Sequence, residues 1–526
     1  LSTTTKNTGI PVSWTRWLVN DWINAGLLGV LAFLIRLPFR SQVLYHWDSV
    51  NFAYAMQEFN LAKDQPQPPG YILYVFLARL VDLIFHDPQR TLVAISLVSS
   101  SLAVALIYLL AKELFNPLTG WISAGMLATS PLFWFYSEIA LPHTFDTLLI
   151  LSCVFGLYRV SQGDLRYLYP TVILLSIAGG VRQQTLVFLL PLTLFAFRRI
   201  GFQRWIFAGG LGVLACMAWF LPLIATTGGL ANYLRITSLF SYHFQDTTSI
   251  FLGAGLNGII HNVRKLAEYT LYAWGPSLLA LGVLGASLRI KNRISQSQWG
   301  RWIFLAIWVM PALVFYTFVH MGQQGLIFVY LPALLLASAY GLELGLRHLP
   351  ELRTIIVFAL LLFNAAVFCL LPEFPFGAHG IRILNRDSLV ASDQYYKERI
   401  QAIRENFSPA STLILAVNWH HVEYYLPEYH KITMDAEVAA KELQSLPVPS
   451  QGEPLDSSLA DWGMRPEQNV KINLVMFDPV IDEFIQSPAG WQSEQIQLPT
   501  GDLLRILELK PETRVHLGNG VVAFRP

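Results

Sequence analysis

Long apolar runs alternate with short polar joints from residue 22 to residue 371. A helix needs about 20 apolar residues to cross the hydrocarbon core of a bilayer, with a tolerated range of about 17–25. The pattern predicts an α-helical polytopic membrane domain over 22–371, after a cytoplasmic tail at 1–21. About eleven transmembrane helices are predicted, at 22–39, 91–112, 117–137, 143–160, 168–182, 184–198, 203–225, 271–289, 302–319, 325–345 and 354–371.

The pattern changes after residue 371, where the chain becomes more polar and more charged. Strand-like runs appear at 413–417, 472–477 and 503–509, with a last edge strand predicted at 521–524. Strands that alternate with helices are typical of a small α/β domain. Residues 372–526 are therefore predicted to form such a domain, with helical patterns near 392–405, 420–426 and 437–443.

Two longer polar segments, 40–90 and 226–270, interrupt the apolar runs. In the first, apolar residues recur on one helical face from Asp48 onward, which predicts an amphipathic helix lying flat in the membrane interface. The run 71–86 carries Arg79 and Asp82, and we interpret it as an interfacial or re-entrant helix. The second segment mixes aromatic and polar residues and contains a further amphipathic pattern at 256–267.

Lys and Arg concentrate in some of the joints, which predicts the side of the membrane on which each joint lies. The basic joints are predicted to be cytoplasmic, at 159–166, 198–204, 289–301 and 347–353. If the run 71–86 does not span the membrane, the joints between successive spans lie alternately on the cytoplasmic and the non-cytoplasmic side, as the basic joints require. The Asp48 loop, the 226–270 loop and the C-terminal domain are then predicted to lie on the non-cytoplasmic face.

Composition narrows the class of protein further. The chain is 54% hydrophobic and 13% charged, which excludes an ordinary soluble domain. The formal net charge of +1 gives no electrostatic case for a nucleic-acid partner. The three cysteines lie inside apolar runs, where packing is the expected role of a thiol.

A group of polar residues is predicted to converge on the outer face. The topology would bring together Asp48, Asn51, Gln67, Tyr71, Glu138, His143, Asp146, Arg182, Gln183, His243, Gln245, His320 and Gln323. No zinc motif, phosphate loop, nucleotide-binding fingerprint or nucleophile elbow is present in the sequence.

Such a group suits displacement of phosphate from the anomeric carbon of a sugar. A carboxylate would act as general base toward the acceptor hydroxyl, and Asp48 is the candidate. Cations and amide donors would stabilise the departing phosphate. The candidates for that role are Arg182, Gln183, His243, His320 and Gln323. The predicted substrate pocket comprises Asn51, Gln67, Tyr71, Glu138, His143, Asp146 and Gln245.

Most of these residues also have a purely structural interpretation. Asp48 could cap its helix, and Arg182 could mark a helix end where Gly179-Gly180 turns the chain at the outer surface. His243 could be an ordinary loop histidine. Glu138 and His143 could be structural at the start of a span, and His320 and Gln323 could only terminate helices. Asp146 lies one turn inside a span, where an ionisable group is a functional candidate by default.

Four stretches resemble the GT-C glycosyltransferases, in particular the branch of lipid A aminoarabinose transferase and the bacterial relatives of protein O-mannosyltransferases. They are 47–53 (WDSVNFA), 68–71 (PPGY), 180–183 (GVRQ) and 320–323 (HMGQ).

The resemblance implies a GT-C-like fold in a membrane, the bacterial inner membrane being expected. It also implies inverting transfer from a polyprenyl-phosphate-linked sugar to a lipid, glycan or protein acceptor. Asp48 falls at the position of the usual base, and Arg182 at that of a residue that binds the carrier phosphate. The active site and the C-terminal domain would lie on the extracytoplasmic side.

The chain departs from the branch at two places. A second acidic residue is usual where the fourth span begins, but His143 stands there, with Asp146 one turn later. Gln67-Pro68-Pro69 replaces a Glu-Lys-Pro segment, so that a glutamate ligand for a divalent metal is missing. His243 remains a candidate metal ligand, and no other cofactor is implied.

Two other classes of function stay open on the sequence. A transporter or flippase for a lipid-linked substrate would show broken helices and inverted repeats, and the chain has one candidate break, at 179–184. A scaffold whose 372–526 domain binds partners is the other. It would leave the carboxylate and arginine group without a role.

Overall fold

A computed structural model describes residues 20–282, 285, 296–373, 383–433, 471–483, 493–509, 514–516 and 522–524. The chain divides into two compact units. The helical unit comprises Leu1–Gln42 and Asn51–Leu389, and the sheet unit comprises Val43–Val50 and Val390–Pro526. The sheet unit thus includes a short segment from the first polar loop, whereas the sequence placed the domain boundary at 371/372 alone.

The helical unit is built from helices joined by short loops. In chain order these are α1 (Asp21–Arg36), α2 (Trp47–Gln57), α3 (Ile72–Phe85), α4 (Pro88–Leu114), α5 (Pro117–Thr129), α6 (Pro131–Ser137), α7 (His143–Ser161), α8 (Leu168–Val181), α9 (Gln183–Phe197), α10 (Phe202–Thr226), α11 (Leu230–Gln245), α12 (Gly255–Trp274), α13 (Gln296–Phe318), α14 (Leu331–Gly345) and α15 (Pro350–Leu370). The first residues of α2 belong to the sheet unit.

Six helices of the described residues have the length and composition needed to cross a membrane. They are Asp21–Phe39, Pro88–Leu114, His143–Ser161, Phe202–Thr226, Trp299–Phe318 and Pro350–Leu370. Three shorter apolar helices match further predicted spans, at Leu165–Val181, Gln183–Phe197 and Leu331–Gly345. The predicted polytopic helical architecture is therefore confirmed, and nine of the eleven predicted spans have a helix at the expected place.

The prediction of one continuous span over 117–137 is wrong. Helix α5 ends at Thr129 and α6 begins at Pro131, with Ser130 between them at φ −55° and ψ 117°. A residue that precedes proline is pushed out of the helical region, and proline has no N–H to continue the helical ladder. The Ser130 hydroxyl donates to the Ala273 carbonyl (2.7 Å), which fixes the break.

The 226–270 segment is more helical than the sequence indicated. The amphipathic pattern at 256–267 is confirmed as part of α12, but this helix continues to Trp274. The span predicted at 271–289 therefore starts inside α12, and residues 283, 284 and 286–289 lie outside the described residues. Helix α11 was not predicted, because its mixture of aromatic and polar residues lacks a clear apolar period.

Helix α2 forms where the sequence predicted it, but it does not present one face to lipid. Apolar residues such as Phe52 are buried, and so are Ser49, Asn51 and Ala55 on the other faces. The apolar residues of α2 therefore pack against protein and not against lipid, and the predicted position of α2 at the membrane interface is not tested by this burial. Arg79 of α3 donates to the carbonyls of Ala55 (2.8 Å) and Met56 at the end of α2.

Helix α3 has 14 residues and lies below the length of a typical span. Tyr74, Val75 and Ala78 are buried, and a second face exposes Phe76, Leu80, Leu83 and Ile84. An exposed apolar stripe on a short helix is typical of a segment that contacts lipid without crossing it. The non-spanning interpretation of 71–86 stays a prediction, because α9 and α14 match predicted spans and are only one residue longer than α3.

The sheet unit contains a mixed sheet of five strands with order β2-β1-β3-β5-β4. The strands β1 to β3 are parallel, and β5 and β4 add in antiparallel register. Their bounds are Thr412–Ala416 (β1), His430–Thr433 (β2), Ile472–Met476 (β3), Glu494–Gln497 (β4) and Leu503–Leu509 (β5). A separate pair joins Arg514–His516 (β6) to Val522–Phe524 (β7).

The three strongly apolar strands and the small α/β domain are confirmed, as is a strand near 521–524. Strands β2 and β4 were missed because they are short and largely exposed, so that they carry little apolar signal. Two helices pack on the sheet, at Arg386–Asn406 (α16) and Trp419–Tyr425 (α17). The helix predicted near 437–443 lies outside the described residues.

Candidate functional site

The chain breaks between α8 and α9 at Arg182, as the sequence predicted. Arg182 has an extended conformation at φ −148° and ψ 107°, and its N–H donates to the Ala178 carbonyl (2.7 Å). A Cβ on Gly180 would lie 2.5 Å from Leu73 Cδ1 and 3.0 Å from Trp219 Cγ. Glycine is therefore required for the close packing of this break against its neighbours.

Arg182 is buried inside the helical unit, where its residue is only 8% exposed. Its Nη1 atom lies 3.5 Å from Oδ2 of Asp146, which is 3% exposed. The Thr185 hydroxyl donates to Asp146 Oδ1 (2.8 Å), and Arg182 Nη2 donates to Gln184 Oε1 (3.2 Å). A buried charge needs such partners, since an unpaired one would be costly in an apolar medium. Sequence reasoning selected both residues without predicting that they pair.

Gln183 belongs to a second hydrogen-bond network, next in sequence to the pair of Arg182 and Asp146. Its Nε2 donates to the Tyr233 hydroxyl (2.9 Å), which lies 3.4 Å from the Pro69 carbonyl. Gln183 also lines an apolar cavity of 590 Å³ between α8, α9 and α10. Several other wall residues are exposed on the outer surface of the helical unit: Val187, Leu190, Leu194, Val213 and Met217.

His143 and Gln323 are brought together as expected. The Gln323 Oε1 atom lies 2.9 Å from His143 Nε2, so the proton of a neutral ring belongs on Nε2. The edge of the Tyr136 ring packs against the His143 ring, with 5.0 Å between their centroids. Gly325 lies against both rings, and a Cβ there would come within 2.7 Å of His143 Cγ and of Tyr136 Cε1.

We expect Gly325→Ala to destabilise the helical unit by about 1–3 kcal/mol, because an added methyl group has to displace two packed rings. The lowered midpoint of thermal unfolding would measure this. Gly210→Ala is the matched control, since a Cβ on this α10 glycine meets nothing within 4 Å. It should leave the midpoint unchanged or raise it. Equal effects of the two substitutions would contradict the packing argument.

His320 is held by the connection between α11 and α12. Its Nδ1 atom lies 2.9 Å from the Thr248 hydroxyl, and Asn262 donates to the Thr248 carbonyl (3.0 Å). Burial, with Lys265 and His261 nearby, lowers the pKa of His320 to about 4. The ring is therefore neutral at pH 7, and it would offer a hydrogen bond to a phosphate but no positive charge.

His243 and Gln245 lie near the end of α11. His243 is exposed, and its ring contacts Phe244 with a centroid distance of 4.8 Å. The Gln245 main-chain carbonyl accepts from the N–H groups of Thr248 and Ser249. Within the described part of the chain, no three His, Cys, Asp or Glu side chains are grouped as metal ligands. A metal at His243 therefore stays a prediction.

Glu138 lies at the end of α6 and is fully buried. Burial raises its pKa well above the ordinary range, and the attraction of Arg36 opposes that shift. Arg36 is also fully buried and donates to Ser100 Oγ (3.3 Å) and to the Ala128 carbonyl (3.1 Å). Sequence reasoning missed Arg36 as a buried partner. A cation at the end of an apolar run is the signal that could have found it.

Asn51, Gln67 and Tyr71 lie on α2 and on the turn before α3. Asn51 and Gln67 are buried. The Gly70 N–H donates to the Gln67 carbonyl (3.2 Å), and Gly70 has a φ of 119°, which favours glycine. The Tyr71 ring packs edge-on against Phe52, with 5.2 Å between centroids.

Asp48 belongs to the sheet unit, and Arg182 belongs to the helical unit. Helix α2 begins at Trp47, so Asp48 lies in its first turn, and the interpretation of Asp48 as the helix cap is wrong. Asp48 is 7% exposed, and its main-chain N–H donates to His46 Nδ1 (3.1 Å). The same Nδ1 lies 3.5 Å from Asp48 Oδ2.

Residues 64–225 match a family described as dolichyl-phosphate-mannose-protein mannosyltransferase. The matched stretch contains Arg182 and Asp146 and ends before α11. No curated protein matches the chain in sequence.

Several solved structures are similar in fold. ArnT from Cupriavidus metallidurans bound to undecaprenyl phosphate has 12% identity and a TM-score of 0.55, over 94% of this chain and 98% of that one. The apo form of that protein has a TM-score of 0.52 at the same identity and coverage. The oligosaccharyltransferase of Archaeoglobus fulgidus has 12% identity and a TM-score of 0.46, over 80% of this chain and 65% of that one.

The predicted GT-C-like fold is confirmed by the similarity to ArnT, which extends over almost the whole chain. Together with the family match, it bears out the resemblance to the branch that contains the aminoarabinose and protein mannosyl transferases. The chain is an integral membrane protein of this fold, with a small sheet domain at its C-terminal end.

Proposed function

We propose that this GT-C-like chain is an inverting membrane glycosyltransferase that takes its sugar from a polyprenyl-phosphate carrier. The acceptor would be a lipid, a glycan or a protein. The family match concerns transfer from dolichyl-phosphate-mannose, and the similar ArnT structure holds undecaprenyl phosphate. The observation that carries the proposal is the buried Arg182 at a helix break, next to a residue that lines a large apolar cavity.

Arg182 would bind the carrier phosphate. A guanidinium has five N–H donors in a planar fork, so it can hold Asp146 and a phosphate at the same time. The first turn of α9 follows directly, and the unpaired N–H groups of a helix N-terminus favour an anion. Asp146 and Thr185 then act as positioning residues, since they fix the guanidinium without needing to touch the donor.

The apolar cavity would take the isoprenoid chain. Its walls are hydrophobic, and Gln183 and Ser176 are among its few polar lining residues. The isoprenoid chain would enter from lipid tails that are as apolar as these walls, so packing and dispersion contacts, and not the hydrophobic effect, would hold it. Gln183 lines the cavity and follows Arg182 directly in the sequence. An isoprenoid bound in the cavity would therefore bring its phosphate group close to the Arg182 guanidinium.

Asp48 would act as the general base. It would accept the proton of the acceptor hydroxyl while the oxygen forms a bond to the anomeric carbon. The bond between that carbon and the phosphate oxygen breaks on the opposite face, which inverts the configuration. The electron pair leaves with the polyprenyl phosphate, whose charge Arg182 would stabilise. On the positive-inside assignment of the basic joints, this reaction takes place on the extracytoplasmic side.

A transporter of a lipid-linked substrate is the second candidate. The interrupted pair α8 and α9, with a buried acid and arginine at the break, is also typical of transport proteins. The two functions differ in whether the donor is consumed.

The experiment is to incubate the purified protein, in lipid nanodiscs, with a panel of polyprenyl-phospho-sugars and simple acceptors. Release of polyprenyl phosphate together with a glycosylated product is the expected result. The transporter is tested by reconstituting the protein in proteoliposomes and measuring whether the same donors cross the bilayer. Movement of an intact donor across the bilayer, with no product from any acceptor, would favour the transporter and overturn the enzyme proposal.

A further inference from the structure

The segment Val43–Val50, which carries Asp48, is bound within the sheet unit. Three polar contacts fix its first two residues. The Val43 N–H donates to Asp393 Oδ1 (3.1 Å), and the Leu44 N–H donates to the Tyr425 hydroxyl (2.9 Å). The Leu44 carbonyl accepts a hydrogen bond from His421 Nε2 (2.7 Å). Both main-chain groups of Leu44 are therefore held by side chains of α17.

The side chains that hold the segment are themselves anchored. His421 is buried and stacks on Tyr396 of α16, with 4.1 Å between the ring centroids and 14° between their planes. The Val43 side chain lies in the same apolar core as Tyr396. Because His421 is already held in place, little conformational entropy is lost when it binds the Leu44 carbonyl. This hydrogen bond can therefore fix the position of the Leu44 main chain.

The start of α17 is fixed by the sheet. Asp478 follows β3, and its buried carboxylate accepts from the N–H groups of Val417 (2.6 Å) and Asn418 (2.9 Å), which follow the neighbouring parallel strand β1. The Tyr395 hydroxyl donates to the same carboxylate (2.5 Å). The carboxyl edge of the sheet thus supports α17, which in turn holds Leu44.

A second contact lies directly before Asp48. The Trp47 ring packs edge-on against His420 of α17, with 5.4 Å between centroids, and His420 stacks on Trp419. The segment is therefore held at Val43 and Leu44 and again at Trp47, immediately before the candidate base.

We infer that the sheet unit positions the proposed general base, with His421, Tyr425 and Asp393 as positioning residues. This inference rests on the proposed function. A base must lie within hydrogen-bond reach of the hydroxyl that it deprotonates, and small displacements of a catalytic group cost much of its rate. The C-terminal domain is then a part of the catalytic apparatus, although none of these three residues needs to touch substrate.

Tyr425→Phe tests the inference with little change of shape. It removes the hydroxyl that accepts from Leu44 and keeps the ring. Turnover of the full-length protein should fall about tenfold, as expected for one lost hydrogen bond that locates a catalytic group. The KM for the polyprenyl-phospho-sugar should not change. Tyr429→Phe is the matched control, because it is the same substitution in the same unit and its hydroxyl bonds to Phe407 instead (2.9 Å).

His421 supplies an independent variant and a rescue. His421→Phe keeps a ring against Tyr396 but loses the Nε2 donor, and it should lower kcat as Tyr425→Phe does. His421→Gln retains an N–H group near the position of Nε2 and should restore a large part of kcat. A role in folding alone would give His421→Gln no advantage, because glutamine cannot replace the stacked ring.

Hydrogen exchange of the 43–50 peptide is a readout that does not depend on activity. Tyr425→Phe and His421→Phe should speed its exchange in the full-length protein, and Tyr429→Phe should not. If Asp48→Asn retains turnover, the proposed function fails at Asp48, whatever the exchange shows. If Asp48→Asn is inactive while Tyr425→Phe and His421→Phe keep the wild-type kcat, the inference is overturned and the proposed function stands.

Discussion

Asp48→Asn should lower the rate of transfer by about 10²–10⁴-fold, the usual contribution of a general base. Asparagine has nearly the same shape as aspartate, but its amide cannot take the proton of the acceptor hydroxyl. The substitution also removes a negative charge from the first turn of α2, which costs only about 0.3–1 kcal/mol of stability. The measurement is the initial rate of polyprenyl phosphate release at saturating donor.

The matched control for this prediction is Glu58→Gln, which neutralises an acid directly after the same helix. Glu58 is exposed and pairs with Lys63 (3.0 Å), so its loss should leave both the transfer rate and the unfolding midpoint essentially unchanged. Both variants should elute as the wild type does in gel filtration. Turnover of Asp48→Asn within a factor of about three of wild type would remove Asp48 from the role of base.

Arg182→Gln should weaken donor binding strongly. A hydrogen bond to a charged group contributes about 1.5–3 kcal/mol, which corresponds to about 10–150-fold in apparent affinity. The same change leaves Asp146 buried without its cation, and breaking a buried ion pair costs about 3–5 kcal/mol of stability. The single variant therefore tests folding and binding together.

The double variant Arg182→Gln with Asp146→Asn separates the two effects. It leaves two neutral polar side chains at the break, so its unfolding midpoint should recover toward that of the wild type, while donor affinity stays low. Arg159→Gln is the control at the opposite end of α7, where Arg159 pairs with Glu113 (2.8 Å) outside the proposed site. A double variant that binds the polyprenyl-phospho-sugar as tightly as wild type would contradict the role of Arg182.

Elements with a strong local signal were predictable from the sequence. The break at Arg182 follows two glycines inside an apolar run, and a cation there is costly in a membrane without a partner. The central strands β1 and β3 are almost continuous runs of β-branched and aliphatic residues, which is typical of strands buried on both faces. In these places local sequence and tertiary packing favour the same structure.

The sequence was less informative where contacts between distant parts of the chain determine the position of a residue. Arg182 was predicted to lie at a turn on the outer side of the membrane, and Asp146 was a functional candidate one turn inside a span. Their pairing joins two helices that are separated along the chain, and no local pattern reports it. The burial of α2 on all faces has the same origin, since Asn51 and Ser49 look solvent-exposed by their chemistry alone.

The role of the first polar loop shows this limit most clearly. Residues 43–50 were assigned to the membrane domain because they follow its first span. They cluster instead with residues more than 300 positions later, through contacts such as that between Leu44 and His421. Contacts over such sequence separations leave no periodic pattern, so they cannot be derived from a single sequence.

The wall of the cavity between α8, α9 and α10 has a practical consequence for enzymology. Its apolar side chains distinguish poorly between one hydrocarbon and another, because dispersion and hydrophobic contacts have little directionality. Alkyl chains of a solubilising detergent should therefore compete with a prenyl substrate for the same groove. Assays in micelles would then show an inhibition that depends on the chain length and concentration of the surfactant and that disappears on reconstitution.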